Sequence, residues 1–98
     1  MMSERLQDKA LMIVGAGTGI GAATARRLVA EGARVVLADI NLTAARAVAG
    51  ELGAAAMPVG TDITDEASVN AAFAEAVEWL GGLDGVHVNA ADLKTIFA

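Results

Sequence analysis

Residues 11–21 read Leu11-Met12-Ile13-Val14-Gly15-Ala16-Gly17-Thr18-Gly19-Ile20-Gly21. Four consecutive apolar residues suit a strand buried on both faces, as in a parallel sheet, and the glycines that follow end it. Beyond them Ile20, Ala23, Thr24 and Leu28 recur at helical spacing. This predicts a helix over residues 19–31 with Gly32 as a left-handed C-terminal cap. The order is strand, glycine loop, helix. A helix N-terminus offers unpaired N–H groups and about half a positive charge, so a phosphate or pyrophosphate is the natural occupant of such a loop.

The alternation continues outward. Val35-Val36-Leu37 marks a second strand over residues 34–38, stopping at Asp39. A helix over residues 42–52 takes Asn41 as its N-cap, Val48 and Leu52 as inner positions, and Gly53 as its stop. Residues 56–60 form a third strand. Pro58 has no N–H to donate to a ladder, which places that strand at a sheet edge. A third helix, capped by Thr64 with Asp65 and Glu66 in its first turn, turns Val69, Phe73, Ala76, Val77 and Leu80 inward and closes at Gly81-Gly82. Residues 85–89 read as a fourth strand. The expected architecture is a single α/β domain, residues 1–98, with a parallel sheet built from βαβ units.

Composition narrows the function. The 98 residues carry a net charge of -5 without a Lys/Arg cluster, so no phosphate-tracking stripe for nucleic acid is present. With no cysteine and one histidine, disulfides, thiol nucleophiles and thiolate or multi-histidine metal sites are excluded. The longest apolar run, Ala10–Val14, is far short of the roughly 20 residues that cross a bilayer. The N-terminus lacks a signal peptide's basic-then-apolar order, and a cytoplasmic location is expected. His87, Trp79 and Asp84 read as a packed strand residue, a cover for the core edge and a turn brace.

Asp39 sharpens the glycine signal. Gly17-x-Gly19-x-x-Ala22 fits the dinucleotide fingerprint, whereas the register beginning at Gly15 puts Ile20 at its third glycine. Asp39 lies 18 residues beyond Gly21, near the spacing of about 20 for the carboxylate that meets an adenosine ribose. The same residues also read as a packing turn and a solvated strand end. A carboxylate here repels a 2'-phosphate; at about 2–3 kcal/mol, discrimination is about 30- to 150-fold. Neither Thr18 nor Ile40 is basic, so NAD is expected over NADP.

These residues resemble the short-chain dehydrogenase/reductase family. Gly15, Gly19, Ile20 and Gly21 match its Gly-x-x-x-Gly-x-Gly loop, and Asp39 its NAD-selecting acid. Asp62-Ile63 looks like the Asp-hydrophobic pair at the adenine, Leu83-Asp84 like the family's Leu-Asp pair, and Val88-Asn89-Ala90-Ala91 like its Asn-Asn-Ala-Gly segment. Val14 replaces the usual Thr before the loop; Val88 and Ala91 replace the first Asn and the Gly of the later segment.

The resemblance implies a Rossmann-type fold, βαβαβαβ with strand order 3-2-1-4. Gly15, Gly17, Thr18, Gly19, Ile20, Gly21, Asp39, Ile40, Asp62, Ile63, Asn89, Ala90 and Ala91 would be its cofactor-binding residues. The family's catalytic Ser, Asn and Tyr-x-x-x-Lys lie downstream of Ala98, and these 98 residues contain no tyrosine. The expectation is a cofactor-binding half of an NAD-dependent alcohol dehydrogenase or ketone reductase, truncated before the catalytic half and holding no catalytic or metal-binding residue. Expected partners are a dinucleotide and, for a homo-oligomeric parent, further copies, but neither nucleic acid nor membrane. The fragment is expected to self-associate. A methyltransferase, and a non-catalytic dinucleotide-binding or interaction module, are the alternatives.

Overall fold

The computed structural model describes residues 6–17 and 19–88. Chain order is β1 (Ala10–Val14), α1 (Gly19–Ala30), β2 (Arg34–Asp39), α2 (Leu42–Leu52), a 3-10 turn (Gly53–Ala55), β3 (Ala56–Gly60), α3 (Glu66–Leu80) and β4 (Gly85–Val88). The four strands form one parallel sheet in the order β3-β2-β1-β4. Ile13 is in register with Leu37 on one side and His87 on the other, and Leu37 with Pro58. Pro58 therefore lies at the edge, where its missing N–H is tolerated.

Side-chain alternation along the strands sorts the core into two layers. Ile13, Val35 and Leu37 pack with Ala22 and Ala25 of α1 and Ala45, Val48 and Ala49 of α2. Ala10, Met12, Val14, Val36 and Ala38 face the opposite way, onto Ala72, Ala76 and Leu80 of α3. Both faces of β1 and β2 are thus covered, which is why these strands are continuously apolar. Met12, Ile13, Val35, Val36 and Leu37 are fully buried, each contributing about 1.5–3 kcal/mol relative to exposure.

Three expectations about the helices need correction. In α1 the inner face is Gly21, Ala22 and Ala25, and Ile20 is 70% exposed. Small residues win because the helix lies close to the glycine loop: a Cβ on Gly21 would stand 2.0 Å from the Gly15 carbonyl oxygen. In α3 the buried row is Ala72, Ala76 and Leu80; Val77 is one residue past it and exposed. The α3 N-cap is Asp65, whose carboxylate accepts from Ala67 N (3.0 Å) and Ser68 N (3.4 Å). Thr64 is engaged elsewhere, and a negative charge suits the positive helix end better than a hydroxyl.

The α3 C-terminus ends in left-handed Gly81, as expected, and Arg34 closes it from β2. The Arg34 guanidinium lies 4.7 Å from the ring centroid of half-buried Trp79 and donates to the carbonyls of Trp79 (3.1 Å) and Leu80 (3.2 Å). Asp84 braces the entry to β4: its carboxylate accepts from Ala10 N at 2.8 Å, and its N–H donates to Ala10 O at 2.7 Å. His87 is exposed, against the expectation of a packed imidazole, because β4 pairs only with β1 among the described strands. No helix of the described residues is long and apolar enough to cross a membrane.

Candidate functional site

The chain steps from β1 through β2 to β3 on one side of the sheet, then returns to place β4 on the other side of β1. Such a reversal opens a crevice at the carboxyl ends of the strands. The glycine loop leaves β1 at that point. Its start is stitched to the end of β2, with Gly15 N donating to Ala38 O at 2.7 Å and Ala16 N to the same carbonyl at 3.2 Å.

Asp39, the last residue of β2, organises the neighbouring loops. One carboxylate oxygen accepts from Gly17 N at 2.8 Å, the other from Asn41 N at 2.9 Å. Its main-chain carbonyl accepts from Thr61 N at 3.0 Å, so the segment leaving β3 is held to the same point. Asn41 also caps α2, its side-chain oxygen accepting from Ala44 N at 3.0 Å.

Gly19 opens α1 at a φ of 55°, and among the described residues no atom beyond its chain neighbours and its own helix lies within 4 Å of where its Cβ would be. The first turn of α1 has no acidic residue. An uncrowded, Cβ-free helix N-terminus beside a fixed carboxylate has the donor set for a dinucleotide: N–H groups for phosphate and oxygens for ribose hydroxyls. The residues present therefore fit the group. Ile40, 73% exposed, and Ile20 flank the crevice as apolar surface.

Beyond β3, Asp62 accepts from the Thr64 hydroxyl at 2.6 Å and from Thr64 N at 2.9 Å. Those two bonds hold its carboxyl below the usual aspartate range. Its own N–H donates to Ser68 Oγ at 2.9 Å. Ile63 is half-buried against the α3 side of the core. Thr61 is buried, and its hydroxyl is without a partner among the described residues.

Gly15, Gly17, Gly19, Ile20, Gly21, Asp39 and Ile40 thus gather at the ends of β1 and β2, with Asp62 and Ile63 beyond the end of β3. Thr18, Asn89, Ala90 and Ala91 lie outside the described residues. Sequence reasoning missed Ser68 as the anchor of the Asp62 backbone and Asn41 as a donor to Asp39. Asn41 carried a signal, since a residue two positions after an aspartate is the usual partner in an Asx turn. Ser68 carried none.

The family model of the short chain dehydrogenases matches residues 9–96. This chain belongs to that family. Sorbitol dehydrogenase of Cereibacter sphaeroides is 48% identical over 87 residues, covering 89% of this chain and 34% of the relative. A 2,5-dichloro-2,5-cyclohexadiene-1,4-diol dehydrogenase of Sphingobium indicum is 46% identical over 85 residues, covering 84% and 34%. Among solved structures, the 3-ketoacyl-(acyl-carrier-protein) reductase of Brucella melitensis complexed with NADH superposes with a TM-score of 0.81 at 42% identity. That match covers 83% of this chain and 34% of the reductase. This short-chain dehydrogenase chain spans about a third of the length of the curated relatives it matches, and its sheet order 3-2-1-4 is the one the resemblance implied.

Proposed function

We propose that this chain is the NAD-binding portion of a short-chain dehydrogenase/reductase that reversibly oxidises a secondary alcohol to a ketone. The observation that carries the reading is the Asp39 carboxylate at the end of β2, oriented by Gly17 N and Asn41 N beside the open N-terminus of α1. When bound, NAD supplies the hydride acceptor. In this reading the first-turn N–H groups of α1, from Gly19 to Gly21 with Thr18 before them, hold the pyrophosphate, and Gly21, with no Cβ to meet the Gly15 carbonyl, lets that turn lie close to the end of β1. Asp39 accepts from the adenosine ribose hydroxyls and repels a 2'-phosphate, which favours NAD over NADP. Ile40, Asp62 and Ile63 enclose the adenine; Asn89, Ala90 and Ala91 lead toward the nicotinamide.

Sorbitol and the cyclohexadienediol named for the relatives are polyhydroxy compounds, which supports a polyol as the class of alcohol. The 98 residues contain no tyrosine to act as the family's proton donor and acceptor, so they do not transfer hydride unaided. A cytoplasmic location and assembly into a homo-oligomer belong to the same proposal. Val86 and Val88, 42% and 48% exposed on β4, make the 98-residue chain self-associate. Sedimentation at the monomer mass at every concentration would count against that part.

Calorimetric titration with NAD and NADP, for the chain and for Asp39→Ala, tests the cofactor assignment. Saturable NAD binding at least about 30-fold tighter than NADP, with the preference lost in the variant, supports it. A folded chain that binds neither dinucleotide contradicts it.

A further inference from the structure

Gly17 is not among the glycines with positive φ, so backbone freedom does not explain why a side chain is missing there. Room does. A Cβ on Gly17 would lie 2.8 Å from Ala44 Cβ, 2.9 Å from Asp39 Oδ2 and 3.2 Å from Ala45 N. The first and last of these atoms belong to the start of α2, which is locked by Asn41: Ala44 N donates to its side chain at 3.0 Å and Ala45 N to its carbonyl at 3.1 Å. Neither can swing aside. A Cβ there must therefore push the loop away from α2, and Asp39 Oδ2, at the end of a short rotatable side chain, is displaced with it.

We infer that Gly17 is a positioning residue for cofactor selection, its N–H and its missing side chain together setting the orientation of the Asp39 carboxylate. The inference rests on the proposed role of Asp39 at the ribose and deepens it. Gly17 N is spent on Asp39 at 2.8 Å, so Gly17 serves the ribose end of the site, and phosphate is left to the N–H groups of α1. With Gly17 N on one carboxylate oxygen and Asn41 N on the other, the carboxylate is held from both sides. Its remaining lone pairs stay directed for two adjacent hydroxyls. A side chain at position 17 presses on α2 and on Asp39 together.

The test is a double-mutant cycle on the 98-residue chain with Gly17→Ala, Asp39→Ala and the pair, titrated with NAD and with NADP. The expected result is that Gly17→Ala lowers the NAD-to-NADP preference by about tenfold or more in the native background and leaves the ratio unchanged when Asp39 is already alanine. A Gly17→Ala variant that weakens both dinucleotides equally and keeps the preference overturns the inference while leaving the NAD reading intact. A native chain with no preference overturns both. Should Gly17→Ala not fold, the Gly17 amide proton decides: a downfield resonance that moves upfield in Asp39→Ala supports the contact, and one that does not respond overturns it.

Discussion

Gly21 and Gly15 lie so close that a Cβ on Gly21 would stand 2.0 Å from the Gly15 carbonyl oxygen. Because the obstructing atom is backbone, no rotamer change relieves it. Gly21→Ala is expected to cost about 3 kcal/mol, the upper end for overpacking, and to lower the melting temperature by about 12 °C or more. Gly19→Ala meets no atom of the described residues beyond its chain neighbours and its own helix but must hold a φ of 55°, and is expected to cost about 1–2 kcal/mol. Thermal denaturation of both variants checks the order; a Gly21→Ala chain as stable as the native one contradicts the packing described.

Arg34 ties the start of β2 to the end of α3 through two carbonyls and the Trp79 ring. Arg34→Met is expected to lose about 1–2 kcal/mol, combining the loss of charge at a helix C-terminus with the loss of the cation–π contact. Arg34→Lys keeps the charge but not the planar fork, and should fall between the two. Urea denaturation followed by Trp79 fluorescence measures both. A methionine variant of native stability would mean that the contact contributes nothing.

Asp62 links acidity to the loop after β3. The Thr64 hydroxyl and N–H favour the carboxylate and lower its pKa below the ordinary aspartate range. A carboxyl depressed by folding adds stability that is complete above the unfolded-state pKa and is lost as pH falls through the lower folded-state value. Thr64→Val removes the larger of the two causes, so the Asp62 pKa should rise toward the ordinary value in a carboxyl carbon NMR titration. The acid limb of stability should flatten with it. An unchanged pKa would show that the hydroxyl bond does not form in solution.

The sheet was legible because its causes are local. The run Leu11-Met12-Ile13-Val14 announces a strand buried on both faces, Pro58 an edge, and Asn41 and Gly53 the two ends of α2. All four readings match the structure. The helix faces were less legible, since periodicity favours large side chains while proximity favours small ones: Ile20 points out and Ala72 in. Thr64 and Asp65 are both competent caps, and the choice turns on the bond Thr64 makes to Asp62. Within the site, the glycine loop and Asp39 could be read from spacing. The approach of Gly17 to Ala44, and the bond from Asp62 N to Ser68, depend on how separate elements meet.

A dinucleotide lying across the carboxyl ends of the strands, on the glycine loop and Asp39, must change the surroundings of the amides there. Amide NMR spectra of the 98-residue chain during NAD addition would register that change residue by residue. Saturable shifts are expected at Gly15, Gly17, Gly19, Gly21, Asp39 and Ile63, with the opposite end of the sheet, around Arg34 and Trp79, unmoved. Shifts confined to that opposite end, or no shifts in a folded chain, would contradict that placement.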